Sequence, residues 1–205
     1  GARGLHDIPV FAINKIDVCA NRPCGHTKLL RGDGRGYWVL AAIEEEGYRR
    51  EDLKLRMAIT GAEPHSEELR QKIQDKLGIE VYNCYGMSEH NGPGVAFECV
   101  FRKGMHVWEE IYIFELLNPE TFEPVPEGET GELVVTILCR DAMPLIRYRT
   151  RDLTRFIPEP CPCGRTHRRI ARFTGRTDDM LIIRGVNVFP SQIEEVLLKA
   201  KGVGA

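Results

Sequence analysis

The chain has 205 residues, of which 42% are hydrophobic and 28% charged, a composition typical of a folded globular protein rather than a disordered one. Its 28 lysines and arginines against 30 aspartates and glutamates give a formal net charge of −2, so the overall charge gives no reason to expect binding to nucleic acid or to a membrane surface. No apolar run approaches the roughly 20 residues that cross a bilayer.

The beginning of the chain, Gly-Ala-Arg-Gly, has neither an initiator methionine nor a signal-peptide pattern. We interpret this as a cytoplasmic chain that is a piece of a longer one. Seven cysteines without a secretion signal do not indicate a disulfide framework. Buried apolar cysteines or a metal site explain them better in a reducing compartment.

The first half of the chain alternates strands and helices. Arg31–Gly36 is predicted to be a loop, Tyr37–Glu46 a helix, and Leu55–Thr60 a strand. A helix opens at Pro64 and ends at Gly78, since its apolar residues are spaced by four: Leu69, Ile73 and Leu77. Ile79–Tyr82 follows as a strand, so the pattern predicts α/β layers.

The second half changes to hairpins between about residues 96 and 155. Ile111–Leu116 and Leu133–Leu138 are predicted strands, whereas Arg149–Arg155 and the Cys-Pro-Cys-Gly segment are predicted connecting loops. Met180–Ile183 is another strand, and a capping box at Ser191–Glu194 opens a last helix. The sequence therefore predicts a mixed α/β fold with a β-rich part. Cys84 and Cys139 lie in strand-like contexts and are predicted to be core residues.

The segment from Asn83 to Gly94 holds the densest group of chemical side chains. Tyr85 could stack on a base, Gly86 allows close backbone approach, Ser88 could donate to a phosphate, and Glu89 could bind Mg²⁺. A polar turn after a strand is an equally good interpretation of the segment by itself.

Three further segments strengthen the nucleotide interpretation. Gly61-Ala-Glu63 lies between a strand and a helix, where α/β folds place ligand loops. Asp152 lies among arginines, which would keep it ionised to accept two ribose hydroxyls. Gly175–Asp179 leads polar residues into a strand. The alternatives are a plain strand-to-helix connection, a surface ion-pair cluster and an interdomain linker.

The four segments, in this order, resemble the adenylate-forming superfamily of acyl-CoA synthetases and adenylation domains. Longer stretches at residues 85–99 (Tyr-Gly-Met-Ser-Glu-His-Asn-Gly-Pro-Gly-Val-Ala-Phe-Glu-Cys), 143–153 and 179–194 resemble the phenylacetate–CoA ligase family. The resemblance runs from about Tyr37 to the end. It implies two steps: ATP and an aryl-acetate carboxylate give an acyl-adenylate and pyrophosphate, and coenzyme A then displaces AMP.

The resemblance also implies residue roles. Gly61, Ala62 and Glu63 would line the adenine, whose edge Asn83 would hydrogen-bond. In the motif that begins at Tyr85, this residue would stack on the ring, with Gly86 beside it, Ser88 at the phosphate and Glu89 on Mg²⁺. Asp152 would take the ribose hydroxyls with Arg176 alongside, and Asp178 would be the hinge of the C-terminal domain. Ser88, Glu89 and Asp178 are thus the expected catalytic set.

The chain departs from the superfamily pattern in two places. It lacks the upstream Gly- and Ser/Thr-rich phosphate loop and the C-terminal lysine that contacts the carboxylate and phosphate. We therefore expect residues 1–36 to be unrelated to the family, residues 37–177 to be the later part of the large AMP-binding domain, and residues 178–205 to be the hinge and start of the small domain. The isolated chain is expected not to adenylate, which pyrophosphate release with phenylacetate and ATP would overturn.

Cysteines and histidines suggest a structural zinc. Cys161 and Cys163 form a tight pair, and Cys99 with His106, across a Gly104 turn, is the natural second pair. His167 is the main rival to His106, and unliganded loop thiols are the alternative to a metal. Some members of the resembled family have a similar arrangement.

The leading hypothesis is thus a phenylacetate–CoA ligase-type enzyme that uses ATP, Mg²⁺ and coenzyme A. A ligase of the same family for another aromatic carboxylate and an inert zinc-stabilised nucleotide-binding remnant are the alternatives. Neither nucleic acid nor membrane is an expected partner, and a homodimer of the full-length enzyme is left open.

Overall fold

The computed structural model describes residues 16–18, 28–33, 55–61, 67–90, 92–179, 181–183, 186–190, 192, 193 and 196. The chain is divided into two compact units, with the boundary between Asn83 and Cys84. The predicted helix over Tyr37–Glu46 and both ends of the predicted capping box, Ser191 and Glu194, lie outside the described residues. Within the described ranges, no helix has the length and apolarity needed to cross a membrane.

The first unit contains a small sheet that is mainly parallel. Strand β1 (Ile16–Val18) pairs antiparallel with β2 (Lys28–Asp33), which runs parallel to β3 (Leu55–Gly61). Strand β4 (Glu80–Met87) pairs parallel with β3 through its first four residues. Helix α1 (Glu67–Leu77) connects β3 to β4, as a parallel pair requires.

Helix α1 confirms the prediction from apolar spacing. Leu69, Ile73 and Leu77 are all buried, because residues four apart lie on one face of a helix. The helix ends where Gly78 takes a φ of 62° and its N–H donates to the carbonyl of Gln74 at 2.7 Å. This conformation suits glycine, which has no Cβ to clash.

The prediction of a loop at Arg31–Gly36 is wrong for its first three residues. Arg31, Gly32 and Asp33 belong to β2 and are paired in register with Ile59, Thr60 and Gly61 of β3. Their charged and glycine side chains carry no strand signal, but the main chain supplies the ladder of hydrogen bonds whatever the side chains.

Within its described residues, the second unit adds nine strands: β5 Gly92–Glu98, β6 Met105–Val107, β7 Tyr112–Leu117, β8 Thr130–Ile137, β9 Tyr148–Ile157, β10 Arg169–Ile170, β11 Gly175–Arg176, β12 Leu181–Ile183 and β13 Val186–Val188. Its main sheet is antiparallel, in the order β4-β5-β6-β10-β9-β8-β7, with β11 paired to β9. The last two strands, β12 and β13, form a separate hairpin.

The hairpin of β7 and β8 confirms the two strands predicted in this part of the chain. Their inward residues form one core with neighbouring strands, so this face of the sheet is excluded from water. The core side chains that define it include Val95, Val107, Phe114, Leu133, Val135, Phe156 and Ile170.

Strand β9 contradicts the predicted loop at Arg149–Arg155. Thr150, Thr154 and Phe156 are buried, whereas Arg151 and Arg155 are exposed, so the two-residue period of a strand is present from Thr150 onward. The period is hard to recognise because two of its three buried positions are threonines. Burial of Thr154 is tolerated because its hydroxyl donates to the carbonyl of Ala171 at 2.9 Å.

The two cysteines predicted to lie in the core differ. Cys84 is buried in β4, as predicted, whereas Cys139 is exposed two residues after β8 ends. The apolar run at 133–138 continues past the end of the strand, which is why the sequence suggests a strand environment for Cys139.

Candidate functional site

The centre of the candidate site is the carboxylate of Asp152, on β9 of the second unit. The phenol of Tyr85, on β4, donates to its Oδ2 at 2.8 Å. The guanidinium of Arg176, on β11, donates from Nη1 to its Oδ1 at 3.1 Å. Sheet pairing places Arg176 opposite Asp152 in register. The fold therefore brings two residues that are far apart in sequence, Tyr85 and Arg176, to one carboxylate.

Burial and these two donors act on Asp152 in opposite directions. Burial raises the pKa of its carboxyl, whereas the Tyr85 hydrogen bond and the Arg176 charge lower it. Burial, and then the nearby Asp152 charge, raises the pKa of Tyr85 well above its ordinary value, so the phenol keeps its proton and donates. Each carboxylate oxygen has a second lone pair that a further donor can use.

The cation beside Asp152 is not one of its neighbours in sequence. Arg149 instead pairs with Glu132 on β8, with Nε to Oε1 at 2.9 Å and Nη2 to Oε2 at 2.5 Å, and Arg151 is exposed. The expectation that the adjacent arginines keep Asp152 ionised is corrected in this respect, and Arg176 lies beside Asp152 as the resemblance implied. The reason is that alternate strand residues point to opposite faces of the sheet.

The ring of Tyr85 lies against a residue that the sequence did not single out. Phe173 packs on it with ring centroids 4.3 Å apart and an angle of 34° between the planes, and Tyr85 is only 8% exposed. Gly86 follows at the irregularity in the pairing of β4 with β5. An aromatic residue two positions before the Gly175 motif was the available signal for Phe173, but its partner could not be deduced from spacing.

Ser88 and Glu89 lie on a short 3₁₀ helix, Ser88–His90, at the end of β4. Both are exposed, whereas His90 is fully buried. Two main-chain carbonyls of the turn are held: Arg140 donates to that of Glu89, and the Tyr112 phenol donates to that of His90 at 2.8 Å. The turn is therefore anchored through its backbone, and the two predicted phosphate and metal ligands face solvent.

Arg176 also joins Asp152 to the predicted hinge residue. Its Nε donates to Oδ1 of Asp178 and its Nη2 donates to Oδ2, both at 2.8 Å. This bidentate contact holds the pKa of Asp178 below its usual range. One guanidinium thus contacts both acidic residues that the sequence assigns to ribose binding and to domain rotation.

Two of the predicted adenine residues belong to the described part of the first unit. Gly61 ends β3, and Asn83 is buried on β4, where its Oδ1 accepts a hydrogen bond from the Thr60 hydroxyl at 3.3 Å. Ala62 and Glu63 lie outside the described residues.

A second group of side chains lies elsewhere in the second unit. The ligand atoms of Cys99, His106, Cys161 and Cys163 all lie within 4.8 Å of one another. Cys99 comes directly after β5 and His106 lies on β6, so an antiparallel pair presents them together with the Cys-Pro-Cys turn. These are the four residues that the sequence groups, and three of them are buried.

Two distances within this group are close to those expected around a tetrahedral ion. The sulfurs of Cys99 and Cys161 are 3.6 Å apart, and the Cys163 sulfur is 3.4 Å from Nε2 of His106. Tetrahedral zinc with its usual bond lengths would separate two sulfurs by about 3.8 Å and a sulfur from a nitrogen by about 3.6 Å. His167 lies outside the group, and its Nε2 is 2.7 Å from a carboxylate oxygen of Glu110.

The thiols of the group differ in acidity. The N–H of Arg165 and the neighbouring thiols lower the pKa of Cys163 to about 7, whereas burial raises the pKa of Cys99. Burial also lowers the pKa of His106, which keeps its imidazole neutral. Thiolate sulfur and neutral imidazole are the forms that bind metal ions.

Known proteins similar to this chain are CoA ligases. The phenylacetate-coenzyme A ligase of Pseudomonas putida is 54% identical over 160 residues, which are 78% of this chain and 36% of that enzyme. The enzyme of the same name from Thermus thermophilus is 52% identical over 157 residues, 76% of this chain and 35% of that protein. The chain thus spans about a third of the length of these curated relatives.

Solved structures agree on the fold. A 2-hydroxyisobutyryl-CoA ligase in the postadenylation state superposes with a TM-score of 0.78 at 29% identity, covering 85% of this chain and 38% of that one. An anthranilate CoA ligase shares the fold, with a TM-score of 0.62 at 19% identity over 84% of this chain and 34% of that one. The mixed α/β fold of adenylate-forming CoA ligases is confirmed.

The sequence family described as AMP-binding enzyme matches residues 26–137. That match begins upstream of Tyr37, where the resemblance in motifs begins, and it includes the β2-β3-β4 strands and the Tyr85 motif. It covers more than half of the chain, and the chain therefore belongs to the AMP-binding enzyme family.

Proposed function

We propose that this chain carries the nucleotide-binding part of a phenylacetate–CoA ligase-type enzyme, an AMP-forming acid–thiol ligase. In the first step a carboxylate oxygen of an aryl acetate attacks the α-phosphorus of ATP, and the bond to pyrophosphate breaks. In the second step the thiol of coenzyme A attacks the acyl carbon, AMP leaves, and the thiol proton is released. The relatives named phenylacetate-coenzyme A ligase support this substrate class.

The observation that carries the proposal is the environment of Asp152. Its two oxygens are fixed by Tyr85 and Arg176, and each keeps lone-pair capacity for one more donor. Two adjacent hydroxyls of a ribose would satisfy that capacity as a pair. A charged acceptor fixed before binding loses little entropy when the ligand arrives, which favours affinity.

Further roles extend from this carboxylate. Tyr85 would stack an adenine on the ring face opposite Phe173, with Gly86 allowing close approach. Ser88 would donate its hydroxyl to a phosphate. These side chains orient the reactants and need not form a bond with them, and orientation is a large part of catalysis in adenylation.

The negative charge of the phosphates would be balanced by a metal ion. Glu89 is exposed on the anchored 3₁₀ turn, so its carboxylate would hold Mg²⁺, which supplies positive charge to phosphate oxygens.

Other residues would contact the adenine or join the domains. Gly61, Ala62, Glu63 and Asn83 would line the adenine. Asp178 would act as the hinge, with Arg176 as its ion-pair partner.

Calorimetry with AMP on the 205-residue chain tests the nucleotide site. Asp152→Ala should abolish binding, because the ribose hydroxyls lose their acceptor. Asp141→Ala is the matched control, since Asp141 is an exposed carboxylate in the same unit, and this variant should bind as the parent does.

Two results would count against the proposal. Equal AMP affinity in the Asp152→Ala and parent chains would remove Asp152 from the site. No binding of AMP by the parent chain would favour the alternative, a catalytically inert zinc-stabilised remnant.

We further propose that Cys99, His106, Cys161 and Cys163 hold one structural zinc ion. The support is a closed set of four sulfur and nitrogen ligands, two pairs of which lie close to the separations that a tetrahedral ion requires. Such an ion would fasten the Cys-Pro-Cys turn to the β5–β6 hairpin. No ligand position is left for a substrate, so the ion would have no part in the ligase chemistry.

Metal analysis of the purified chain tests the zinc site. About one zinc per chain is expected, with loss of zinc in Cys161→Ser and retention in Cys139→Ser, whose thiol is exposed and outside the group. A parent chain without zinc after purification in zinc-containing medium would refute the proposal.

A further inference from the structure

The pairing of β9 with β8 is interrupted at Asp152. Glu132 is paired with Leu153, and Val134 is paired with Arg149. A single residue, Leu133, therefore lies opposite three residues of β9, Thr150 to Asp152, so these three form a bulge. Bulges of this kind redirect side chains and are common beside active sites.

The backbone in this bulge is strained. Arg151 has a φ of 70°, in the left-handed region that residues other than glycine rarely adopt. Such a conformation is unfavourable and persists only when neighbouring contacts impose it. One of these contacts is the hydrogen bond from the Thr177 N–H to the Arg151 carbonyl, at 2.8 Å.

The hydroxyl of Thr150 makes two bonds that close the bulge. It donates to the carbonyl of Leu133 at 2.9 Å and accepts from the N–H of Asp152 at 3.1 Å. Thr150 is 1% exposed, so water cannot replace either bond. The first bond fixes the bulge to β8, and the second fixes the main chain of Asp152 itself.

We infer that Thr150 is a positioning residue: its buried hydroxyl holds the β9 bulge in the conformation that presents the Asp152 carboxylate to two ribose hydroxyls. Thr150 does not touch the nucleotide and acts through Asp152. The inference rests on the proposed function, because it takes Asp152 as the ribose acceptor. It gives a role to a residue of the 143–153 stretch to which the sequence analysis assigns none.

The test is the ability of the chain to distinguish AMP from 2′,3′-dideoxy-AMP, measured by calorimetry for both ligands. The parent chain should bind the dideoxy nucleotide about tenfold or more weakly, since it loses two hydrogen bonds to a charged acceptor. Thr150→Val has the same shape without the hydroxyl and should bind the two nucleotides within about threefold of each other. Thr150→Ser restores the hydroxyl and should restore the discrimination.

Thr154→Val is the matched control. Thr154 is on the same strand, is also 1% exposed, and also donates to a carbonyl, but it lies outside the bulge. This variant should lose comparable stability and keep the discrimination between the two nucleotides. A general loss of folding cannot produce that difference.

The outcomes separate the two proposals. A parent chain that binds both nucleotides equally would refute Asp152 as the ribose acceptor, and with it the proposed function of this residue. A parent chain that discriminates, together with a Thr150→Val chain that discriminates equally well, would refute the positioning role alone. If Thr150→Val does not fold, a Thr150→Ser chain without discrimination would also refute the role.

Discussion

Replacing Gly104 by alanine should destabilise the second unit, because the added Cβ would clash with a main-chain carbonyl that cannot move away. Gly104 has a φ of +92°, and an added Cβ would lie 2.4 Å from Cδ1 of Ile157 and 2.8 Å from the carbonyl oxygen of Ile170. The end of the Ile157 side chain can move. The Ile170 carbonyl cannot, because β10 is paired with β6 on one side and β9 on the other.

The magnitude has two parts. A left-handed conformation costs an L-residue roughly 1–2 kcal/mol, and forcing a methyl group into a filled space adds about 1–3 kcal/mol. Gly128 isolates the first part, since it has a φ of +88° with nothing within 4 Å of an added Cβ. We therefore expect a loss of about 1–2 kcal/mol for Gly128→Ala and about 2–5 kcal/mol for Gly104→Ala.

Urea unfolding of the two variants and the parent measures these losses. Gly104 lies two residues before His106, so Gly104→Ala should also weaken zinc retention, which Gly128→Ala should leave unchanged. Equal free energies of unfolding for the two variants, within about 0.5 kcal/mol, would refute the steric argument.

Three further predictions concern burial in the second unit. His90 is fully buried, and neither of its ring nitrogens has a hydrogen-bond partner among the described residues. Burial lowers its pKa from 6.5, so the free energy of unfolding should fall as pH drops below about 6.5. His90→Phe should flatten that part of the urea-derived stability profile. Leu133→Ala should cost about 2–5 kcal/mol by the same assay because it opens a cavity in the core, whereas Ile113→Ala, at a side chain 47% exposed, should cost less than about 1 kcal/mol. Glu132→Gln should lower the free energy of unfolding by about 1–3 kcal/mol, measured by thermal unfolding, because it removes the buried charge that pairs with Arg149. The Arg149 side chain is 31% exposed, so the loss should be smaller than for a fully buried ion pair. An unchanged melting temperature would contradict this last estimate.

Local patterns in the sequence predicted the parts of the fold that depend on local physics. Helix α1 was predicted because Leu69, Ile73 and Leu77 repeat with the helical period and Gly78 follows. The β7–β8 hairpin was predicted from apolar runs separated by turn residues. In both cases the signal comes from residues within one helix or one strand, where spacing alone determines which side chains share a face.

Strand β9 could not be predicted in this way. Two of its three buried positions are occupied by threonines, and its exposed positions by arginines, so apolar alternation is not visible over residues 149–155. Its burial depends on carbonyls supplied by other strands, such as those of Leu133 and Ala171, which accept from Thr150 and Thr154. Such partners exist only once the sheet has formed.

The candidate metal group shows the same division. Its two thiol pairs were grouped from spacing, but spacing left His106 and His167 as rivals. The pairing of β6 with β5 and β10 places His106 beside the thiols, whereas His167 lies against Glu110.

The sequence by itself determined the family, through long motifs whose residue types do not change with packing, and it determined which side chains could serve a nucleotide or a metal. The resemblance implied Arg176 beside Asp152, and the tertiary structure showed the contacts that hold these side chains in place. Asp152 is paired with Arg176 rather than with its neighbour Arg149 because β11 aligns with β9, and its other carboxylate oxygen accepts from Tyr85 on β4. Chemical type is a local property of a residue, whereas the direction in which a carboxylate points is set by hydrogen bonds between strands distant in sequence.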